Sequence, residues 1–261
     1  MRLLSLNVWD GRVKDKLIPF IADSAECTDI FCFQEVLNVS DRDYPEWRRA
    51  IGFGDSFAKG TVADGRIFGA MKGALAGFRP FLTAPYADGG VRLATFVSDR
   101  MKPVSSETHP LRVEQRQRVR GRDIWAKPIL QCTRIACGRR QYNIVTFHGL
   151  WVYRKWHCDT PRRFEQSRAI IEYISGLKGE TVLCGDFNLT PNTKSLRMLE
   201  ESGLRNLVKE FGIRSTRTKA FWHSRDLFAD YIMVSKGIKV EDFGVLDEAV
   251  SDHLPLYLDF H

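Results

Sequence analysis

The sequence lacks three features that would have indicated a different class of protein. It has no uninterrupted apolar run close to the roughly 20 residues of a membrane-spanning helix, so we expect no transmembrane segment. It has no charged amino-terminal region followed by a long apolar stretch, so we expect no cleavable leader. Its six cysteines form no CxxC pair and several lie within apolar runs, which predicts reduced thiols and a cytoplasmic protein.

Internal repeats, low-complexity tracts and Pro/Ser-rich linkers are also missing, so we expect one domain over residues 1–261, although the length alone would permit two. With 44% hydrophobic residues, the chain is able to bury a sizeable core. Lys and Arg number 39 against 32 Asp and Glu, which gives a net charge of +7. This excess favours polyanionic partners such as nucleic acid or an anionic membrane surface, although an ordinary basic surface explains it equally well.

Short apolar strands alternate with helical stretches along most of the chain. The predicted elements are strands over residues 1–9, 28–36 and 180–188, a helix over 14–27, and a helix capped by Thr160 that ends near Gly179. Residues 91–148 are predicted to form consecutive strands over 91–99, 117–135 and 140–149, whereas residues 54–90, with many Gly, Ala and Pro, are predicted to form a long irregular excursion. Strands with helices outside them predict two packed mixed sheets flanked by helices.

Polar side chains recur where these strands begin or end. They are Asn7, Glu35, His148, Asp186, Asn188, Asp230, Asp252 and His253. One such residue usually just caps or solvates a strand. Because ligands of α/β sheets bind outside strand ends, so many at equivalent positions predict a functional site.

Six short motifs carry a family resemblance: "LNVWDG", "FQEV", "HGLW", "GDFN", "ADYI" and "SDHLP", in this order. The ordered set resembles the endonuclease/exonuclease/phosphatase superfamily, in particular its tyrosyl-DNA phosphodiesterase, deadenylase and sphingomyelinase branches. The resemblance implies a four-layer α/β sandwich in which two mixed β-sheets pack face to face with helices outside. It also implies one metal-dependent phosphodiester hydrolase site at the common edge of the sheets. We expect a monomer.

The expected metal is Mg²⁺, with Mn²⁺ as a substitute, because Mg²⁺ prefers oxygen ligands and no Cys/His cluster indicates zinc. The resemblance makes Glu35 and Asn7 metal ligands and leaves Asp252 for the metal or its waters. Trp9 and His148 depart from the apurinic endonuclease pattern, so an abasic-site nuclease is disfavoured.

The remaining site residues have expected catalytic roles. Asp186 is expected to align or deprotonate the attacking water while the Asn188 amide donates to the phosphate. GDFN is equally compatible with a structural Asx turn, and both descriptions can hold together. By resemblance, His148 contacts the phosphate and Asp230 orients His253, which acts either as a general base or as a phosphate-binding imidazolium.

The substrate is the least constrained part of the prediction. Trp151, Arg154 and Arg163 are expected to contact substrate, and Arg163 with Gln166 also fits an R-x-x-Q pattern that braces the site. A row of arginines at even spacing is predicted to line one strand face and follow a phosphate backbone: Arg112, Arg116, Arg118, Arg120 and Arg122. These features favour nucleic acid as substrate. The alternatives are a phospholipid or phosphoinositide substrate, and a catalytically silent binding protein.

Overall fold

The computed structural model describes residues 1–38, 66–86, 90–113, 115–119, 122–152, 155, 157–219 and 227–261. The strands in chain order are β1 Arg2–Asn7, β2 Ile30–Leu37, β3 Phe78–Leu82, β4 Val91–Ser98, β5 Lys102–Pro110, β6 Gln115–Val119, β7 Arg122–Ala126, β8 Ile129–Cys137, β9 Arg140–His148, β10 Glu180–Asp186, β11 Arg205–Asn206, β12 Asp230–Val234, β13 Val240–Val245 and β14 Leu256–Phe260. The α-helices are α1 Lys14–Ser24, α2 Ile67–Ala74, α3 Pro161–Ser175, α4 Lys194–Glu201 and α5 Leu207–Glu210, and a 3₁₀ turn spans Trp9–Gly11.

Two six-stranded mixed sheets form the centre of the molecule. The strand order is β13-β14-β1-β2-β4-β3 in the first sheet and β11-β12-β10-β9-β8-β5 in the second, while β6 and β7 form a separate two-stranded ribbon. The first sheet contains the parallel pair β1–β2 and the second the parallel pair β9–β10; the other described pairings are antiparallel. Each sheet therefore brings the carboxyl ends of two neighbouring strands to one edge.

The sheets pack face to face through β1 and β2 against β9 and β10. Cys32 of the first sheet and Cys184 of the second belong to the same fully buried cluster. Leu17 of α1 and Met71 of α2 cover the outer face of the first sheet, and Ile170 of α3 packs with the second. Layers of helix, sheet, sheet and helix result, so the predicted four-layer sandwich with two mixed sheets is confirmed.

Two predictions about chain segments are wrong. The part of residues 54–90 that the structure describes is not irregular, because it contains α2 and β3; two buried side chains four positions apart, Ile67 and Met71, were too few to show helical periodicity. The stretch over residues 117–135 is not one strand, because β7 turns back antiparallel to β6 before β8 begins. The ends of most other predicted elements agree with the structure within a few residues.

The helices of the described residues include none that is both long enough and apolar enough to cross a membrane. All six cysteines are free thiols, and Cys32, Cys132 and Cys184 are buried in the core.

Candidate active site

The carboxyl ends of the two parallel strand pairs bring the predicted site residues together. Asn7 and Glu35 lie on the first sheet, and Asp252 and His253 lie in the segment before its strand β14. His148, Asp186 and Asp230 lie on the second sheet, and Asn188 follows its strand β10. Asp186 lies directly opposite His148 on one side and Asp230 on the other. A hydrogen bond crosses between the sheets, because Asn7 Nδ2 donates to Asp186 Oδ2 at 3.0 Å. The sandwich edge therefore forms one site from residues up to 246 positions apart, Asn7 to His253.

Two glycines allow the ends of β9 and β10 to approach closely. Gly185 has a φ of +137°, and a Cβ there would lie 2.0 Å from the Phe147 carbonyl oxygen. A Cβ at Gly149 would lie 2.3 Å from the Phe187 carbonyl oxygen. Side chains at either position would push the two loops apart, so the glycines of HGLW and GDFN set the spacing of the site.

Asp186 and Asn188 form the Asx turn that the sequence left open. The Asn188 backbone N–H donates to Asp186 Oδ1 at 2.8 Å, and Asn188 has a left-handed φ of 52°. The turn, rather than an extended chain, places both side chains at the site. Asn188 Nδ2 donates to the Gly149 carbonyl at 3.1 Å and lies 3.3 Å from His148 Nε2.

Glu35 lies inside β2 rather than at its end. The register between β2 and β4 shifts between Phe33 and Val36, and Glu35 within this bulge has a φ of 56°. A left-handed conformation costs a non-glycine residue about 1–3 kcal/mol, and such conformations concentrate at functional sites. Trp9 and Asp10, next to Asn7, also have positive φ values of 49° and 54°. Backbone strain therefore surrounds the sandwich edge where the polar residues meet.

His148 is held between a tyrosine and two carboxylates. The Tyr86 hydroxyl lies 2.7 Å from His148 Nδ1, while His148 Nε2 lies 3.5 Å from Glu35 Oε1 and 3.4 Å from Asp186 Oδ2. Two acidic acceptors at Nε2 favour the tautomer that carries its proton there, with Nδ1 accepting from Tyr86. Sequence reasoning missed Tyr86, because it falls in the segment that was predicted to be irregular.

Replacing Tyr86 by phenylalanine should lower kcat/KM about fivefold, because one neutral hydrogen bond contributes about 1 kcal/mol to the orientation of its partner. Tyr86 acts through His148, so it is a positioning residue, and the pH profile of kcat/KM should shift as well. The matched control is Tyr257→Phe, which removes a hydroxyl that bonds Asp242 at 2.9 Å on the exposed part of β14. Equal rates and equal pH profiles for the Tyr86 variant and wild type would contradict the role of Tyr86.

His253 bonds Asp230 rather than its neighbour in sequence. His253 Nδ1 lies 2.9 and 2.8 Å from the two Asp230 carboxylate oxygens, whereas Nε2 is 3.7 Å from Asp252 Oδ1, too far for a hydrogen bond. Burial lowers the pKa of His253, and the nearby Arg217 lowers it further. Burial also raises the pKa of Asp230, with the Asp186 carboxylate adding to the effect. His253 Nδ1 is therefore bonded to Asp230, while His253 Nε2 faces the other side chains of the site.

Asp252 is paired with an arginine that the sequence did not single out. Arg217 Nη1 donates to Asp252 Oδ2 at 2.9 Å, and both side chains are buried. Burial raises the pKa of Asp252, although His253 and Arg217 oppose the shift. Arg217 engages Oδ2 and not Oδ1, so the role of Asp252 toward the metal or its waters stays a prediction. No local motif around Arg217 could have revealed this contact, since it lies 35 positions from Asp252.

The donor set of the site fits a divalent cation. Glu35, His148 and Asp186 offer ligand atoms that all lie within 4.8 Å of one another, and Asp186, Asp230 and His253 form a second such group. Asn7 is placed beside them, but its Oδ1 accepts a hydrogen bond from the Trp9 N–H at 2.9 Å. Within the described chain, the acidic residues of the first cluster are therefore Glu35 and Asp186.

The charge of Asp186 also fits a divalent cation at this site. Burial disfavours the Asp186 carboxylate, but the hydrogen bond from His148 and the other nearby cationic side chains outweigh it and hold its pKa far below the usual range. Asp186 is therefore ionised at neutral pH, and it stands close to three further carboxylates, Glu35, Asp230 and Asp252. The ionised Asp186 carboxylate gives the site a buried negative charge that a bound cation would compensate, and carboxylate oxygens are preferred ligands of Mg²⁺.

The three residues predicted to contact substrate differ in their exposure. Arg163 is fully buried and donates to the carbonyl oxygens of Leu150, Lys155 and Cys158, so it braces the loop after His148 and has no access to substrate. Gln166 Oε1 accepts from the Leu150 N–H at 2.8 Å, which agrees with the bracing expected for the R-x-x-Q pattern. Trp151 is half-buried in this loop, and Arg154 lies outside the described residues.

The arginine row is shorter than predicted. Arg112 precedes β6, Arg116 and Arg118 are exposed on β6, and Arg122 begins the returning strand β7 opposite Val119. Arg120 lies outside the part of the chain that the structure describes. Of the four described arginines, two share one strand face.

His157 is a further histidine beside the site that the sequence did not indicate. It is 4% exposed, its carbonyl accepts a hydrogen bond from the Thr190 N–H at 2.8 Å, and Nδ1 has no hydrogen-bond partner. Burial lowers its pKa to about 3, and the charge of Arg217 adds to the effect. Nothing in the sequence around His157 distinguishes it from a surface residue of the loop.

His157 should make the fold less stable as the pH falls. The unfolded chain protonates this imidazole below its ordinary pKa of about 6.5, whereas the folded chain does not, so the unfolded state binds more protons. Wild type should lose about 2 kcal/mol of unfolding free energy from this residue between pH 7 and pH 5. In urea titrations at both pH values, His157→Gln should lack that loss. An identical pH dependence in the two proteins would show that His157 is protonated in the folded state.

A family model described as "Endonuclease/Exonuclease/phosphatase family" matches residues 4–253. No curated protein sequence matches the chain significantly. A solved endonuclease/exonuclease/phosphatase family protein from Bacteroides thetaiotaomicron is 18% identical, with a TM-score of 0.72 over 100% of this chain and 97% of its own.

Two further solved structures share the fold. The mannosyl-6-phosphatase of Bacteroides thetaiotaomicron is 19% identical, with a TM-score of 0.70 over 100% of this chain and 99% of its own. TDP2 of D. rerio, solved with a single strand DNA product, is 14% identical, with a TM-score of 0.67 over 100% and 98%. At these identities the likeness concerns the fold.

Proposed function

The chain belongs to the endonuclease/exonuclease/phosphatase family, and from that premise we propose that it is a Mg²⁺-dependent phosphodiesterase that hydrolyses nucleic acid, with Mn²⁺ able to replace Mg²⁺. The observation that carries the proposal is the pair of adjoining clusters at the sandwich edge. Glu35, His148 and Asp186 form one, and Asp186, Asp230 and His253 form the other. Asp186 belongs to both, so a metal and a proton-accepting histidine would address the same phosphate.

The carboxylates Glu35 and Asp186 would hold the metal, together with the oxygen of Asn7 if it accepts a second interaction. When bound there, Mg²⁺ supplies charge neutralisation for the phosphate oxygens. The amide of Asn188, fixed by the Asx turn and by the Gly149 carbonyl, has a second N–H to offer to a phosphate oxygen.

His253 has one ring nitrogen left for the reaction. Its Nδ1 is bonded to Asp230, so Nε2 accepts a proton from the attacking water or contacts the phosphate. Asp186 Oδ2 lies 3.7 Å from this Nε2. Because an ionised carboxylate oxygen only accepts hydrogen bonds, Asp186 is suited to align the same water. His148 Nε2, on the other side of Asp186, would donate to a phosphate oxygen or to the leaving group.

Nucleic acid is favoured as substrate by charge. The net charge of +7 gives a long-range attraction to a polyanion. A structural neighbour, TDP2 of D. rerio, was solved with a single strand DNA product. Among the described residues the exposed large hydrophobic side chains are Phe211 and Leu227, too few to form a lipid-binding patch.

The test is a substrate panel assayed with Mg²⁺, with Mn²⁺ and with a chelator. The panel contains single-stranded DNA, duplex DNA, RNA, sphingomyelin, a phosphoinositide, a sugar phosphate and a small chromogenic phosphodiester. We expect metal-dependent hydrolysis of the small diester and of at least one nucleic acid, abolished by the chelator.

Other outcomes of the panel would overturn the proposal in different ways. Turnover of the lipids alone would replace nucleic acid by a phospholipid or phosphoinositide, and turnover of the sugar phosphate alone would indicate a phosphomonoesterase. Hydrolysis that the chelator leaves unchanged would contradict metal dependence. No turnover of any substrate would favour a catalytically silent binding protein.

A further inference from the structure

The β6–β7 ribbon, residues 115–119 and 122–126, stands apart from both main sheets and is tied at its base to the wall of the site. Gln115 is buried, and its Nε2 donates to the carbonyl of Trp151, three residues after His148, at 3.2 Å. On the returning strand, the Lys127 N–H donates to the Tyr86 carbonyl at 2.7 Å. Tyr86 is the residue that bonds His148 Nδ1. Two separate contacts thus place the ribbon beside the residues that hold His148.

One face of the ribbon combines positive charge with an aromatic ring. Arg116 and Arg118 are exposed and lie two positions apart on β6, so they share a face. The residues directly opposite them on β7 are Trp125, half-buried, and Asp123, exposed. Cross-strand partners also share a face in an antiparallel pair. The face therefore presents two guanidiniums and an indole, with one carboxylate opposite Arg118.

The spacing of the arginines suits a nucleic acid strand. Residues two apart on a strand are separated by about 6.7 Å. Phosphates of one strand recur at about 3.4 Å along the helix axis, so two guanidiniums at this separation can contact two phosphates of the same strand. An indole face stacks on bases that are not paired, and stacking of this kind tolerates any sequence. A duplex, whose bases are already stacked on each other, does not offer that contact.

We propose that the β6–β7 ribbon binds a single strand of nucleic acid next to the scissile phosphate and guides it into the active site. The proposal rests on the proposed function, since it assigns a substrate surface to the same site. Arg116 and Arg118 contact the phosphates and Trp125 stacks on a base. Asp123 limits the positive charge of the face, so binding is moderate and depends strongly on salt.

The experiment compares Arg116→Ala/Arg118→Ala with Arg139→Ala/Arg140→Ala. The second pair removes the same charge from two exposed arginines at the start of β9, nine and eight residues before His148 at the other end of that strand. Binding of a fluorescent oligothymidylate is measured by anisotropy in chelator over a range of salt concentrations. The ribbon variant should bind at least about tenfold more weakly, and its slope of log affinity against log salt should fall by about 1.4, or 0.7 for each lost phosphate contact. Arg139→Ala/Arg140→Ala should bind like wild type.

Hydrolysis assays separate this proposal from the proposed function. The ratio of kcat/KM for the oligonucleotide to kcat/KM for the small chromogenic diester should fall about tenfold in the ribbon variant and stay unchanged in the control. Trp125→Ala should weaken binding of the single strand more than binding of a duplex.

Failure of wild type to hydrolyse the small diester would defeat the proposed function. Equal losses in the ribbon and control variants, or equal loss for the small diester and the oligonucleotide, would overturn the ribbon proposal alone.

Discussion

Replacing Asp186 by asparagine is expected to lower kcat/KM by about three to four orders of magnitude while the protein stays folded. The reason is that this carboxylate contacts four other residues of the site. Oδ1 holds the Asx turn by accepting from the Asn188 N–H at 2.8 Å, and Oδ2 accepts from Asn7 Nδ2 at 3.0 Å. The same Oδ2 lies 3.4 Å from His148 Nε2 and 3.7 Å from His253 Nε2.

Asparagine keeps the Oδ1 acceptor for the Asn188 N–H, but it loses the Oδ2 acceptor and the negative charge. Its amide nitrogen would face the Asn7 amide, placing two donors against each other, and the negative charge that attracts the cation would be gone. The loss of charge should also relieve the repulsion that raises the pKa of Asp230. The contact between two donors lowers the stability of the fold and the relieved repulsion raises it, so the two effects oppose each other. Metal binding and turnover should both fall.

Three measurements check this expectation: the rate on the small diester, circular dichroism, and calorimetric titration with Mn²⁺. Asp259→Asn is the matched control, because it removes one carboxylate charge from the opposite end of the first sheet, where Asp259 Oδ1 accepts from Arg2 Nε at 2.8 Å. The control should retain wild-type turnover. A folded Asp186→Asn protein with more than about a tenth of the wild-type rate would contradict the central place of Asp186.

The second large effect concerns stability. Replacing Arg163 by methionine should lower the free energy of unfolding by about 3 kcal/mol, because three backbone carbonyls would lose their buried donor at once. The Arg163 Nε and Nη2 atoms donate to the Leu150 carbonyl at 3.2 and 3.1 Å, and Nη1 donates to the carbonyls of Lys155 and Cys158. Burial lowers the pKa of Arg163 to about 10, which still leaves the guanidinium charged at neutral pH.

Arg163→Lys should recover only part of the loss, since a single ammonium cannot reproduce the fork of donors that reaches all three carbonyls. The neighbouring Arg162→Met serves as control. Arg162 is exposed and pairs with Glu165 at 3.3 Å, so its removal should change stability by less than about 0.5 kcal/mol. Urea unfolding of the three variants provides the comparison. A loss for Arg163→Met no larger than that for Arg162→Met would show that the loop after His148 does not depend on this anchor.

Much of the fold was predictable from the sequence, because the apolar strands and the capped helix have strong local patterns. Thr160, for example, accepts a hydrogen bond from the Arg163 N–H as expected of an N-cap. The helix α2 was missed because its buried face is only two residues long, Ile67 and Met71. The turn between β6 and β7 was missed because an even spacing of arginines is compatible with one long strand as well as with a hairpin.

The polar residues of the site were predictable as a set, but their partners were not. Sequence motifs indicate that Asp230 and His253 belong together, and the structure adds the distances. Arg217, Tyr86 and His157 carry no motif, and each reaches the site from a distant or irregular segment through tertiary packing. Arg163, in the first turn of α3, was predicted to contact substrate, but its guanidinium instead donates to backbone carbonyls. Burial, which sequence patterns give poorly for polar residues, decides between such roles.

The division of the site between the two sheets has a consequence for the order of events during folding. The first sheet contributes Asn7, Glu35 and His253, and the second contributes His148, Asp186 and Asp230, so neither half has a complete set on its own. Each sheet could acquire its hydrogen-bonded ladder separately, yet turnover requires that the two halves dock in register. In a refolding experiment, enzymatic activity should therefore return last, after backbone circular dichroism has recovered, and its rate would report the docking step.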